Sequence, residues 1–312
     1  MPAQRAPLSD GRWHFQHGPI DLVIGADGDP AAVALAHRLA WQRFCTVLQE
    51  LVAELPVLRQ PLPAGGALPA AEQRLRGPVA QRMWNACAAY REGFITPMAA
   101  VAGAVAEELV ACYRRSGVSR AWVNNGGDIA LHLGAGQSLR IGLFADLDRL
   151  APALANARQD PGGLATDAQC EIRADMPVRG VATSGWRGRS FSLGIADSVT
   201  VLAASAAGAD AAATVIANAV DVAHPGIERR PACTIRDDSD LGAIAVTVAV
   251  PPLGAPLVCR ALAAGLERAE TLRAAGLIWS ATLVCQGQWR QTAVPAGLET
   301  RPRAPALDAE CV

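Results

Sequence analysis

The stretch Gly208–Val222 (GADAAATVIANAVDV) holds the residues best placed to do chemistry. Almost every position is Ala, Val or Ile. The polar exceptions Asp210, Thr214 and Asn218 recur every four residues, with Asp221 just beyond. In a helix that spacing aligns them on one face. A carboxylate and a hydroxyl on such a face suit a hard cation such as Mg²⁺, alone or with a phosphate. An unpaired buried carboxylate is otherwise too costly to keep. The alternative is an ordinary solvated face, with Asp210 favoured by the dipole of the first turn.

Three other segments carry chemical potential. In Val123–Leu131 (VNNGGDIAL), Asn125, Gly126, Gly127 and Asp128 form either a turn whose backbone amides face a ligand or a plain Asn-Gly hairpin. In Val181–Gly194, Thr183, Ser184, Gly185, Arg187, Gly188, Arg189 and Ser190 gather hydroxyls, amides and guanidinium groups that could grip a phosphate, or could line a solvated turn. Thr96-Pro97 reads as a helix start, either an anion seat or a simple cap. His132 and His224 are the histidines outside the N-terminal region, each a base or a structural residue. No GxSxG, HExxH, Walker A or GxGxxG pattern occurs.

The elements that must position these residues are legible from pattern. Met1–Asp10 reads as a flexible tail, Arg12–Ile24 as a strand or hairpin, and Asp29–Leu55 as a long helix opened by Asp29-Pro30. Pro56–Gly66 reads as a loop, and Ala70–Tyr90 as helix interrupted at Gly77-Pro78. TPMAAVAGAVAEELVACYRRSG is predicted as a helix with Thr96 at the N-cap, Pro97 in the first turn and Gly117 past the end. Small Ala99, Gly103 and Ala106 would let a neighbour approach it closely. Ala121–Leu133 reads strand, turn, strand; Leu139–Phe144 strand; Leu150–Cys170 helix then loop; Ala196–Ala203 strand. Leu241–Val250 and Leu277–Val284 read as strands around a helix at Leu257–Ala275, and residues 299–312 as a disordered tail. Many neighbouring strands are joined by links too short for parallel crossovers. The expectation is therefore an α+β fold with mainly antiparallel sheets, one domain over residues 11–298.

Composition narrows the function. The 312 residues are 51% apolar and 18% charged, with 28 Lys+Arg against 29 Asp+Glu. That balance offers no field to hold a nucleic-acid backbone. No apolar run is long enough to span a bilayer. The N-terminus lacks the apolar core of a secretory signal, which predicts a cytoplasmic chain. Eight cysteines without a CxxC pair predict free thiols in a reducing compartment and no cysteine zinc site.

Taken in order, PMAAVAGAVAEE, VNNGGDIAL, ATSG, DSVTVLA, GADAAATVIANAV and the late RAAGLIWSATLVCQGQW resemble an uncharacterised bacterial and archaeal family related to the ApbE flavin transferases, over roughly Gly93 to Trp289. ApbE proteins take FAD, bind a divalent cation, and transfer FMN through a phosphoester bond to a Thr or Ser of a target protein. The resemblance implies metal ligands Asp210 and Thr214, from the AD-x-x-x-T motif, with a backbone carbonyl from Ala99–Gly103. It implies a flavin nucleotide near Gly126, Gly127 and Asp128, and near Thr183, Ser184 and Gly185. The sequence also departs from the family. ApbE proteins follow TSG with a histidine-bearing segment implicated in transfer, whereas WRGRSFSLGIA here holds no histidine. The acidic residue of the ApbE small-residue helix has Glu107 and Glu108 as neighbours in position. The implied function is thus an ApbE-like protein binding a flavin or related phosphate-bearing ligand with Mg²⁺. It acts either in phosphoester chemistry or as a non-catalytic accessory to a cytoplasmic redox protein.

Overall fold

A computed structural model describes residues 2–143, 168–188, 190–237, 239–293 and 301–302. Its strands are β1 (Gln4–Pro7), β2 (Trp13–His17), β3 (Ile20–Gly28), β4 (Val118–Asn125), β5 (Asp128–Leu133), β6 (Ser138–Leu143), β7 (Ala168–Arg173), β8 (Gly180–Ser184), β9 (Ser198–Ala203), β10 (Glu228–Pro231), β11 (Ala245–Ala249), β12 (Ser280–Cys285), β13 (Gln288–Gln291) and β14 (Arg301–Pro302). Its helices are α1 (Pro30–Leu58), α2 (Ala71–Arg74), α3 (Pro78–Cys87), α4 (Val101–Val110), α5 (Ala206–Ala219) and α6 (Ala255–Ala274). Nine strands form one sheet in the order β1-β2-β3-β4-β5-β8-β9-β12-β13, and every pairing between neighbours is antiparallel. The fold is α+β with antiparallel sheets, as the short links between strands predict.

Alternation along the strands builds two cores. Ala130, Ala182, Val201 and Ala203 face the helices, among them α4 and α5. Leu131, Leu133, Val181 and Leu202 face the other way, onto Ile141, Cys170 and Ile172 of the β6–β7 layer. Aromatics are scarce, so alanines do much of the filling, and α5 alone buries Ala206, Ala207, Ala209, Ala211, Ala212, Ala213 and Ala217. Small side chains permit the close helix approach on which the site depends.

Several expectations need correction. The supposed tail before Asp10 contains β1, whose register with β2 runs from Gln4↔Gln16 to Pro7↔Trp13. An arginine of that strand, Arg5, lies over the rings of Trp13 and Trp41, at 5.4 and 4.9 Å. The C-terminal stretch likewise contains β14, paired with β7. Helix α1 runs through Pro56 to Leu58 rather than stopping before it. The amide that proline lacks would have bonded the carbonyl of Val52, an exposed residue where water can replace the missing bond. The helix predicted within Leu150–Cys170 lies mostly outside the described residues, although Ala168–Cys170 is strand, in β7. Six cysteines are free thiols, but Cys259 is disulfide-bonded, against the expectation for every cysteine. No helix among the described residues is long and apolar enough to cross a membrane.

Candidate functional site

Helix α4 follows a 3-10 turn at Pro97–Ala100 and starts without a side-chain cap of its own. The first amides of a helix have no partner within it. Asp210, in the first turns of α5, meets that need from outside. Its Oδ2 accepts the N–H of Gly103 at 2.9 Å, and the N–H of Ala102 also bonds the carboxyl. The exchange is reciprocal. Glu107 of α4 accepts the N–H of Ala207, at the start of α5, at 3.3 Å, while Ser205 caps Gly208 at 3.1 Å. Backbone meets backbone at this crossing: a Cβ on Gly103 would stand 2.2 Å from the carbonyl oxygen of Ala206.

The β4–β5 hairpin enters the same place. Gly126 and Gly127 turn with φ of 66° and 116°, and Asn124 Oδ1 accepts the N–H of Gly127 at 2.8 Å. On either side of the turn, Asn125 and Asp128 are buried, at 6% and 8% exposure. Asn125 donates its side-chain amide to the carbonyl of Ala102 at 3.1 Å. Asp128 Oδ1 accepts the N–H of Thr183 at 3.1 Å, and the Thr183 hydroxyl lies 3.0 Å from that of Thr200. Asn125, Asp128, Thr183 and Asp210 are thereby drawn around the start of α4.

Electrostatics single out Asp210. The residue keeps some accessible surface along its flank. Its carboxyl is nevertheless enclosed, and burial pushes its pKa well above the usual carboxylate range. The charge of Asp128 pushes the same way, and the amides of Gly103 and Ala102 oppose. The buried Cys87 thiol is near enough to be pushed up as well, chiefly by burial and then by Asp210.

The family model described as "AbpE bacteria" matches residues 5–291. The chain belongs to this ApbE-like family. Curated relatives named UPF0280 protein match about half of it. The one from Methanospirillum hungatei is 34% identical over 160 residues, 51% of this chain and 56% of the relative. That from Methanosphaerula palustris is 36% identical over 150 residues, covering 48% and 54%. The matched segment spans about half the length of these relatives. A solved structure of an ApbE protein from Thermotoga maritima aligns at 11% identity with a TM-score of 0.42, covering 93% of this chain and 96% of its own. An apo flavinyl transferase ApbE from Pseudomonas stutzeri aligns at 14% identity with a TM-score of 0.40, covering 93% and 94%.

In this ApbE-like chain the polar stripe of α5 is not a single site. Thr214 lies one turn beyond Asp210 on the same face, half-buried. Asn218 serves a different loop: its Oδ1 accepts the N–H of Leu193 at 2.9 Å and the hydroxyl of Ser192 at 3.2 Å. Asp221 pairs with Arg229 at 2.5 Å. Asp210 and Asn218, both half-buried, each hold neighbouring backbone instead of facing solvent alone.

The loop after β8 is also committed. Gly185 packs so closely on Asp197 that a Cβ would lie 2.4 Å from its carbonyl oxygen. Arg187 pairs with Asp197 at 3.2 Å and lies over the Trp186 ring. Ser184 is half-buried at the end of β8, and Arg189 lies outside the described residues. Thr96 does not cap the turn it precedes; its hydroxyl donates to Asp240 at 2.5 Å. Both acidic residues of α4 are engaged, Glu107 with Arg82 and Ala207, and Glu108 with Arg43 and Arg82. His132 stands at the opposite end of β5, and His224 accepts the N–H of Gly226 in its own loop. The partners Cys87, Thr200 and Asp240 escaped sequence reasoning. Each belongs to a segment distant in the chain; Thr200 lies within the DSVTVLA stretch, but nothing local there marks it as a partner of Thr183, and Cys87 and Asp240 carry no local motif.

Proposed function

We propose that this chain binds a flavin nucleotide, FAD in the first instance, through its phosphates, together with a divalent cation such as Mg²⁺. Asp210 and Thr214 would hold the cation with oxygen donors of the type Mg²⁺ prefers. The observation that carries the reading is the enclosed Asp210 carboxyl set against the charge of Asp128. Two such acids near one another are costly to ionise together. A hard cation would offset both the repulsion and the burial, and a carboxylate with a neighbouring hydroxyl is a donor pair of the kind it takes. When bound, the cation would neutralise charge on the phosphates and polarise a phosphoester. Gly126 and Gly127 present backbone without side chains, and the Gly127 amide is already oriented by Asn124. Asn125 fixes Ala102 and Asp128 fixes the Thr183 amide, and Ser184 and Gly185 would extend that edge toward a bound nucleotide.

A second reading is a flavin-holding accessory to a redox protein, without turnover. It is favoured by one feature: among the described residues, the segment from Trp186 to Asp197 offers no histidine, and its Arg187 is already paired. Calorimetric titration of FAD with and without Mg²⁺ tests the shared part. Metal-dependent binding, lost in Asp210→Asn, supports the site. Absence of binding at millimolar FAD would overturn it. Release of AMP from the bound FAD separates the enzyme from the accessory protein.

A further inference from the structure

A polar concavity lies at the C-terminal end of α4. It is an open cavity of about 730 Å³. Helix α4 ends in a 3-10 turn, Ala111–Tyr113, which delivers Arg114 and Arg115 to its rim. His132 comes from β5, and Arg179 from the residue just before β8. Asp128 and His132 share one face of β5, four residues apart, so about 13 Å of strand separates this cavity from Asp210's surroundings.

The cationic groups here are held in place yet poorly balanced. Arg179 is clamped by three carbonyls. Its Nη1 donates to Met176 at 2.7 Å and to Val178 at 2.6 Å, and its Nη2 donates to Ala174 at 2.8 Å. Arg115 donates its Nε to the carbonyl of Cys112 at 2.8 Å. Arg114 is exposed and makes no side-chain hydrogen bond or ion pair among the described residues. His132 lies 3.4 Å from the carbonyl of Val118 through Nε2. No carboxylate is among the cavity's described lining residues. The C-terminal dipole of α4 contributes only about half a negative charge, against three guanidinium groups. Mutual repulsion contributes, after burial, to the shifts of two groups. Arg179 is held below its usual pKa by burial and then by Arg114. His132 is pushed down by burial first, with Arg114 and Arg179 adding to it against the Val118 bond.

We propose that this cavity is a binding site for a phosphoryl anion, separate from the cation site at the start of α4. Guanidinium forks match phosphate oxygens in pairs. Arg179, already fixed by its carbonyls, loses little freedom on binding. A tetrahedral dianion presents more acceptors to three guanidinium groups than a planar carboxylate does. It would also offset the mutual repulsion of the guanidinium groups.

The test is calorimetry on the full chain at constant ionic strength, with EDTA present so that no cation bridges. The probes are inorganic phosphate, AMP and acetate. Phosphate or AMP is expected to bind with acetate at least tenfold weaker. Arg114→Gln, an exposed position whose change leaves the fold intact, is expected to weaken binding about tenfold, and Arg114→Gln with Arg115→Gln further. AMP binding above that of phosphate marks a phosphomonoester as the ligand; equal binding marks free phosphate. His132 provides an independent readout, because saturating phosphate should raise its NMR-measured pKa. The proposal is overturned if neither phosphoryl probe binds at millimolar concentration, if the arginine variants bind as the parent does, or if acetate binds equally well.

Discussion

Gly103→Ala asks whether the crossing of α4 and α5 is as tight as its geometry implies. In an open helix the change would gain about 1 kcal/mol of helix propensity. Here the added methyl would meet the Ala206 carbonyl oxygen at 2.2 Å and its carbon at 2.6 Å, where ordinary contact begins at 3.4 Å. The obstacle is backbone, so no rotamer change relieves it. The helices must part by the difference, about 1.2 Å. The Gly103–Asp210 bond, 2.9 Å at rest, would then stretch to roughly 4 Å, beyond hydrogen-bond range. Overpacking costs about 1–3 kcal/mol, and loss of a bond to an acidic group about 1.5–3 kcal/mol. Set against the propensity gain, the net loss is about 1.5–5 kcal/mol. Urea denaturation would register it as a lower midpoint at unchanged slope. FAD titration with Mg²⁺ should show binding lost alongside. A variant as stable as the parent, or more so, would refute both the close crossing and the role of Asp210 as an external cap.

Other expectations follow from the same geometry. Asn218→Leu should cost about 1–3 kcal/mol, since it leaves the Leu193 amide and Ser192 hydroxyl without their acceptor; denaturation midpoints check it, and amide exchange at Leu193 should quicken. Glu108→Gln leaves Arg43 and Arg82 short of a charge partner in a mostly buried network and should cost about 1.5–3 kcal/mol by the same assay. His37, 2.6 Å from the Tyr113 hydroxyl, has its pKa lowered by burial. Its neutral form therefore supports the fold above the unfolded pKa of about 6.5, and that support is lost as pH falls through the lower folded value. Stability measured from pH 7.5 to 5 should decline more steeply in the parent than in His37→Gln.

The sheet and the main helices were legible because their signals are local. Asp29-Pro30 sets a helix start that Asp29 fulfils by accepting the Ala32 amide at 2.9 Å, and Asn-Gly joins β4 to β5. Strand β1 was illegible because its four residues are exposed and carry no alternation; pairing with β2 alone makes it a strand. Pro56 misled for a related reason, since a last-turn proline on an exposed face breaks nothing. At the candidate site, residue types drew attention to Asp210 and Asp128, whose shared field no local pattern contains. The polar stripe of α5 suggested one site where there are separate duties. A four-residue period says which side chains share a face, but not what each part of that face packs against.

The order of strands bears on how the protein comes to be folded at all. β2 with β3, β4 with β5, and β12 with β13 are hairpins that close over a few residues. By contrast, β3 must wait for β4 across α1 to α4, and β5 pairs with β8 only after β6 and β7 have been set aside. Such distant pairings make for slow assembly, because loop closure comes before the contacts that reward it. The hydrogen-bonded cluster at the start of α4 draws on Ala102, Asn125, Asp128, Thr183 and Asp210, segments that meet only once those late pairings exist. A nascent chain would hold its hairpins early and complete this cluster last, so a ligand of the proposed site would report on completed folding rather than guide it.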